Sequence, residues 1–266
     1  MKIIPSVAMS IMNVDKIRSS SSFIQAFELS VDFSMDEVSD AYLEELNGLR
    51  KEAGIAYTVH APFRDVNIAS LNNTVFEAAR MDMMRSMEVA ARIGAGLVVV
   101  HPGITGFFPE DRWTEMKRRE LSVFEEMGKF GGERGIQVMV ENLPKMNVHF
   151  EDTWTLDGII RVHDEWESDV KGVCFDVGHA YHANLDVAEA VRRLGSRIKH
   201  LHVHDNHGGI IDEHLPIGQG TIPWDDFFEA LEEIGFEGFA VFEFGPAERQ
   251  REAVQLLEDR MRQFRA

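Results

Sequence analysis

The chain has 266 residues, 44% of them hydrophobic and 27% charged, which is enough apolar material for a full core and excludes a disordered polypeptide. Lysine and arginine number 27 against 45 aspartates and glutamates, a net charge of −18, so the overall field repels phosphate backbones and acidic membranes. A nucleic-acid partner would need a local basic or metallic patch, and the single cysteine, Cys174, excludes an internal disulfide and fits a reducing compartment.

From the N-terminus, Lys2 precedes an apolar run, but Pro5 and Ser6 interrupt it and Asn13 and Asp15 follow closely. Residues 3–8 therefore read as a first strand rather than a leader. Further short runs suited to strands lie at 23–31, 56–60, 97–101, 137–141, 172–176, 198–204 and 239–243. Between them the apolar spacing is helical. One helix opens after Asn72-Asn73-Thr74 and runs through Phe76, Ala79, Met83, Met87 and Ala90 to Gly94, with Gly54 and Gly135 closing others in the same way. The methionines Met83, Met84 and Met87 read as core packing on that helix. Residues 113–133 alternate in charge and read as a solvated helix face.

Eight strands alternating with helices imply repeated βαβ units and a parallel sheet. Such a sheet closes into a barrel at about 250 residues. The rival, an open doubly wound sheet, would carry a Gly-x-Gly-x-x-Gly turn after its first strand, and none is present. The expectation is an α/β protein, one (β/α)8 TIM barrel domain over residues 1–266. No apolar stretch reaches the ~18 residues that a membrane span needs, and the cytoplasm is the expected location.

The polar residues fall at the ends of the strands. Six of the eight runs finish on a side chain able to hold a metal: His60, His101, Glu141, Asp176, His202 and Glu243. In a (β/α)8 barrel these ends converge on one face, where barrel chemistry is carried out. Carboxylates crowded into one mouth repel one another, and burying them requires compensating positive charge, which metal cations supply. After Asp176, Val177-Gly178-His179 turns the chain so that an imidazole can return beside the carboxylate. Asp212-Glu213-His214 sets Asp and His two apart, on one side of an extended segment. His101 is held extended by Pro102.

The candidate metal set is thus His60, His101, His179, His202 and His214 with Glu141, Asp176, Asp212 and Glu243. His200 and His204 share the face of His202 by the two-residue period, so spacing leaves that choice open. Nine mixed nitrogen and oxygen ligands exceed the needs of one tetrahedral zinc. Bridging carboxylates would let them serve two or three ions, with zinc the best fit and manganese or iron as alternatives. Magnesium alone prefers oxygen. His149, His163, His182 and His207 are expected at the surface or behind the ligands, and Gly218-Gln219-Gly220 is a weak candidate for backbone approach to a phosphate.

In these segments the chain resembles the superfamily of barrels that joins endonuclease IV to the xylose-isomerase-like sugar isomerases and epimerases. The matching segments are His60-Ala61-Pro62-Phe63, Asn67-Ile68-Ala69-Ser70, His101-Pro102-Gly103, Glu141-Asn142, Asp176-Val177-Gly178-His179-Ala180, His202-Val203-His204-Asp205, Asp212-Glu213-His214 with Gly218-Gln219-Gly220, and Glu243. The resemblance to endonuclease IV implies that the nine positions hold three zinc ions for phosphodiester cleavage and that His202, not His204, is the ligand of its strand. The resemblance to the isomerases implies a smaller set, Glu141, Asp176, His202 and Glu243, with the two glutamates as catalytic proton carriers. Phe63, Asn142 and His204, beside the ligands in these segments, are expected to meet substrate. Departures lie in the loops: the Gly-Ala-His-Val-Ser opening usual in endonuclease IV is absent, Phe63 stands where tyrosine is common, and Arg64 and Asp65 lengthen the following loop.

Two catalytic expectations follow, phosphoester hydrolysis at a multinuclear site or, as the alternative, isomerisation or epimerisation of a sugar or sugar phosphate. The first accounts for all nine ligands, the second for the loops and the acidic charge. The first admits a phosphodiester, with DNA as one form of it, and the second a small sugar phosphate. A barrel that binds metal or ligand without turnover is a third reading, against which the intact ligand set counts.

Overall fold

The computed structural model describes residues 1–32, 37–209, 211–243, 254 and 255. In chain order the elements are β1 (Lys2–Ser10), α1 (Val14–Ser20), β2 (Ala26–Ser30), α2 (Asp40–Ala53), β3 (Ala56–His60), α3 (Asn73–Ile93), β4 (Leu97–Val100), α4 (Trp113–Arg134), β5 (Gln137–Glu141), α5 (Leu156–Glu165), β6 (Lys171–Asp176), α6 (Val177–His182), α7 (Val187–Leu194), β7 (Ile198–Val203), α8 (Trp224–Glu233) and β8 (Glu237–Phe242). Each strand pairs in parallel with its sequence neighbour, and β1 pairs with β8, so the sheet closes into a barrel. The expected (β/α)8 TIM barrel is the fold observed.

The strands read as near-continuous apolar runs because both of their faces are covered, one by helices and the other by the barrel interior. Val98 to Val100 and Val138 to Val140 are accordingly buried throughout. Two large apolar clusters fill the space between sheet and helices, and a small one, Leu97, Val99, Met139 and Cys174, lies between β4, β5 and β6. The helices stop where the sequence says they should: Gly94 ends α3 in the left-handed region at φ 75°, its N–H returning to the carbonyl of Ala90.

One expectation fails. The stretch 113–133 is not a solvated face: α4 buries Met116, Val123, Phe124 and Met127 against its neighbours, with Glu120 among them. The charges that dominate its sequence occupy the outer face, and they mask an inner stripe at helical spacing.

Candidate metal centre

The register places the site. Ser30 of β2 pairs with His60 of β3, Glu141 of β5 with Cys174 of β6, and Asp176 of β6 with His202 of β7. Because the strands run in parallel, their ends share one rim, with His101 and Glu243 one residue past β4 and β8. The four groups Glu141, Asp176, His202 and Glu243 present ligand atoms within 4.8 Å of one another. Two further sets adjoin them, His60 and His101 sharing Glu141, and His179, His204 and His214 around Asp212. All nine sequence-derived candidates therefore gather at one mouth, and His204 joins them.

The turn after β6 works as the sequence suggests. Asp176 caps α6 by accepting the N–H of His179 at 2.6 Å, and this helix turn swings the His179 ring back to 3.4 Å from Glu141 Oε1. Asp212 and His214 also meet, Nε2 to Oδ2 at 2.9 Å, but not along an extended segment. His214 sits at φ 48°, in the left-handed region that a side chain other than glycine adopts only at a cost. Asp205 organises this loop, its buried carboxylate accepting the N–H groups of Asn206, Gly218 and Ile222 and the indole N–H of Trp224. A Cβ on Gly220 would lie 2.3 Å from Asp205 Oδ1. The Gly218-Gln219-Gly220 segment thus wraps a carboxylate within the protein rather than serving as an exposed phosphate cradle.

The hydrogen-bonding pattern of the histidines says what the cluster lacks. His60, His179 and His214 each direct Nδ1 at a backbone carbonyl, of Ala61 at 2.8 Å, Asn142 at 2.9 Å and Glu243 at 2.9 Å. A carbonyl only accepts, so each Nδ1 carries a proton, and in its neutral form each ring turns an Nε2 lone pair inward. Those lone pairs face carboxylate oxygens, His60 to Glu141 at 3.3 Å, His179 to Asp212 at 3.1 Å and His214 to Asp212 at 2.9 Å. Acceptor facing acceptor in a buried site is repulsive unless a cation lies between them. Asp176 Oδ2, Asp212 Oδ1 and His202 Nδ1 are likewise buried without a directed hydrogen bond. The donor set fits a divalent metal centre.

Without metal, protons must do the neutralising. Burial pushes the His60 imidazole down, but the neighbouring Glu141 carboxylate outweighs it and raises its pKa to about 9. His214 is drawn up to about 9 in the same way, against burial, by Asp212. Burial pushes Glu141 up, yet the imidazoles of His202 and His101 hold it well below the usual carboxylate range. It stays an anion.

The cluster floors a cavity of about 710 Å³, within the range of small-molecule sites. One wall carries Ser10, Ser30, Asp32 and Arg64, the other Leu143, Pro144 and Met146. Of the three residues expected to meet substrate, Phe63 lines the cavity, its ring stacked on His101 at 4.6 Å. Asn142 and His204 are buried and lie outside that lining. The Asn142 amide brackets Asp176, donating to its carbonyl at 2.9 Å and accepting its N–H at 2.8 Å, and the His204 ring stacks on His214 at 3.8 Å. Both support ligands instead of facing the cavity. Sequence reasoning missed Glu28, a buried carboxylate inside the barrel, and Asp32, which holds Arg64 at 2.9 Å. A lone acid between Phe27 and Leu29 in a buried strand was the available signal for Glu28.

The family model for the xylose isomerase-like TIM barrel matches residues 22–260. The chain belongs to the xylose isomerase-like TIM barrel family. This xylose isomerase-like barrel superposes on the crystal structure of a D-tagatose 3-epimerase-like protein with a TM-score of 0.87 and 28% identity, covering 98% of this chain and 97% of that one. An uncharacterized protein of Methanocaldococcus jannaschii is 32% identical over 203 residues, 76% of this chain and 68% of its own. A probable endonuclease 4 of Mycobacterium ulcerans is 29% identical over 186 residues, 65% of this chain and 67% of its own. The chain is an enzyme of this family, with a buried His/Glu/Asp cluster able to hold divalent metal. Among the described residues no helix is long and apolar enough to cross a membrane.

Proposed function

We propose that this protein is a divalent-metal-dependent epimerase of a small sugar, inverting the carbon beside the sugar's carbonyl. The observation that carries the reading is the convergence of Glu141 and Glu243, on the floor of a cavity of small-molecule size, with Asp176 and His202 buried beneath them. The similarity to the D-tagatose 3-epimerase-like protein over nearly the whole chain supports it. A net charge of −18 also suits a small sugar better than a nucleic acid. These points place epimerisation ahead of phosphoester hydrolysis, the order opposite to that reached from the ligand count alone.

Glu141, Asp176, His202 and Glu243 would hold a divalent ion, which supplies Lewis-acid polarisation of the sugar's carbonyl and adjacent hydroxyl oxygens. Glu141, kept anionic by its imidazole neighbours, takes the proton from the carbon that bears that hydroxyl, next to the carbonyl. Glu243, one residue past the end of β8, returns a proton to the opposite face, so the carbon inverts with no net change in composition. Phe63, packed on His101, closes the side of the cavity and excludes water.

A second reading has a specific observation in its favour. The sets around His60 and His101 and around His179, Asp212 and His214 exceed what one ion uses. Two or three zinc ions there would suit phosphoester hydrolysis, and the chain is similar over part of its length to a probable endonuclease 4. One experiment separates the two. The protein is incubated with a panel of free ketohexoses and their phosphates and with a duplex containing an abasic site, before and after chelator. Epimerised sugar that disappears with chelator and in Glu141→Gln, by roughly 10²–10⁴-fold for loss of an acid-base group, supports the proposal. A nicked duplex with no sugar converted moves the assignment to the hydrolase.

A further inference from the structure

Three histidines of the cluster are held from behind by backbone carbonyls, and His202 is held differently. His60, His179 and His214 rest on backbone carbonyls through Nδ1. His202 is turned the other way round. Its Nδ1 faces the metal set, 3.1 Å from Glu141 Oε1 and 3.3 Å from Glu243 Oε1, and its Nε2 lies 2.8 Å from Glu28 Oε1. Glu28 is 1% exposed, in the barrel interior beneath the site. Its second oxygen takes His200 Nε2 at 2.7 Å and the Thr58 hydroxyl at 3.0 Å.

An ionised carboxylate only accepts: the Thr58 hydroxyl and His200 Nε2 hydrogen-bond to Oε2, while His202 Nε2 lies against Oε1 as a close ion-pair contact without the angle of a hydrogen bond. His200 Nε2 donates to Glu28, and a bare His202 Nε2 lone pair 2.8 Å from Oε1 would be repulsive, so the Nε2 of both histidines bears a proton and the Nδ1 lone pair of His202 is left for the rim. We infer that Glu28 is the positioning residue of the metal centre: it fixes the tautomer and aim of His202 through a carboxylate where His60, His179 and His214 use a carbonyl. A carboxylate behind an imidazole raises its ligand strength beyond what a carbonyl gives. This makes the strand-seven histidine the strongest nitrogen donor of the set and concentrates affinity at the Glu141–Asp176–His202–Glu243 site. The inference rests on the reading of His202 as a metal-holding residue.

Glu28→Gln keeps the shape of the side chain but gives it an amide that must donate where the carboxylate accepted. One of the two histidines must then surrender its Nε2 proton and take the Nδ1–H tautomer, and when this is His202 it loses its ligating lone pair. The test is Zn²⁺ titration of the chelator-stripped full-length chain against a chromophoric competitor, with melting temperature in parallel. The expected result is that the tightest Zn²⁺ site weakens by roughly 10–100-fold in Glu28→Gln, as for other residues that orient a metal ligand, while the metal-free melting temperature stays near wild type. Wild type that binds Zn²⁺ and a variant that binds it equally overturn the role of Glu28 alone. Wild type that holds no Zn²⁺ overturns the cluster reading and the inference with it. Should the variant not fold, long-range ¹H–¹⁵N spectra of the wild-type imidazoles decide: a proton on His202 Nε2 in the metal-free chain upholds the inference, and one on Nδ1 with a bare Nε2 overturns it.

Discussion

Glu120 offers a test of the packing behind the His101 loop. It lies on the inner face of α4, buried, with its carboxyl accepting the N–H of Gly103, two residues past His101. Burial, with the nearby Asp152 carboxylate, pushes its pKa from an ordinary 4.5 to about 8, against the pull of the Gly103 N–H and Lys117. The native state then keeps a proton that the unfolded chain has released, so stability falls as pH rises from about 4.5 to about 8 and is level below that window. At ~1.4 kcal/mol per pH unit the loss across the window is on the order of 3–5 kcal/mol. Glu120→Gln keeps an acceptor for Gly103 without the ionisation. Urea unfolding of both proteins from pH 4.5 to 8.5 should therefore show the difference, variant minus wild type, growing steadily in the variant's favour. A difference that stays constant with pH would refute the reasoning and place Glu120 in contact with water or a counter-charge.

Two further outcomes probe the loops that carry the ligands. A Cβ on Gly178 would lie 2.0 Å from the His204 ring, where an ordinary contact begins at 3.4 Å. Gly178→Ala should destabilise by about 1–3 kcal/mol and, by moving His204 and the α6 turn by about 1 Å, lower turnover on the order of 10²-fold; unchanged turnover with a lowered melting temperature would detach that turn from the chemistry. Asp205→Ala leaves the donors of Asn206, Gly218, Ile222 and Trp224 without their acceptor and should cost on the order of 3–5 kcal/mol. Bound metal should fall with it, because the same loop carries Asp212 and His214, and elemental analysis of the purified variant checks this.

Much of the site was readable in the sequence because a parallel barrel advertises its rim. Strands buried on both faces are almost wholly apolar, so His60, Glu141 and Asp176 stand out where the runs end, and the fold gathers those ends. What lies one layer deeper gives a weaker signal. Glu28 sits mid-strand, and its meaning appears only when closure of the sheet brings His200 and Thr58 against it across 172 and 30 positions. Glu120 was hidden by the charged outer face of its own helix. Asp212 and His214 were paired correctly for a mistaken reason, since the two-residue period belongs to strands and His214 reaches its partner through a left-handed backbone. Asn142 and His204 show the same limit: a motif places a residue near a site, but only packing tells whether it faces the cavity or the wall behind it.

The central claim is that Glu141 and Glu243 exchange a proton at a carbon of the bound sugar. Incubation of the metal-loaded enzyme with a convertible ketose in D₂O, followed by NMR of the recovered sugar, reads this directly. Deuterium at the inverted carbon and nowhere else, absent with Glu141→Gln, is the expected result. Inversion that leaves that carbon with its original hydrogen, or exchange that persists in Glu141→Gln, would contradict the account.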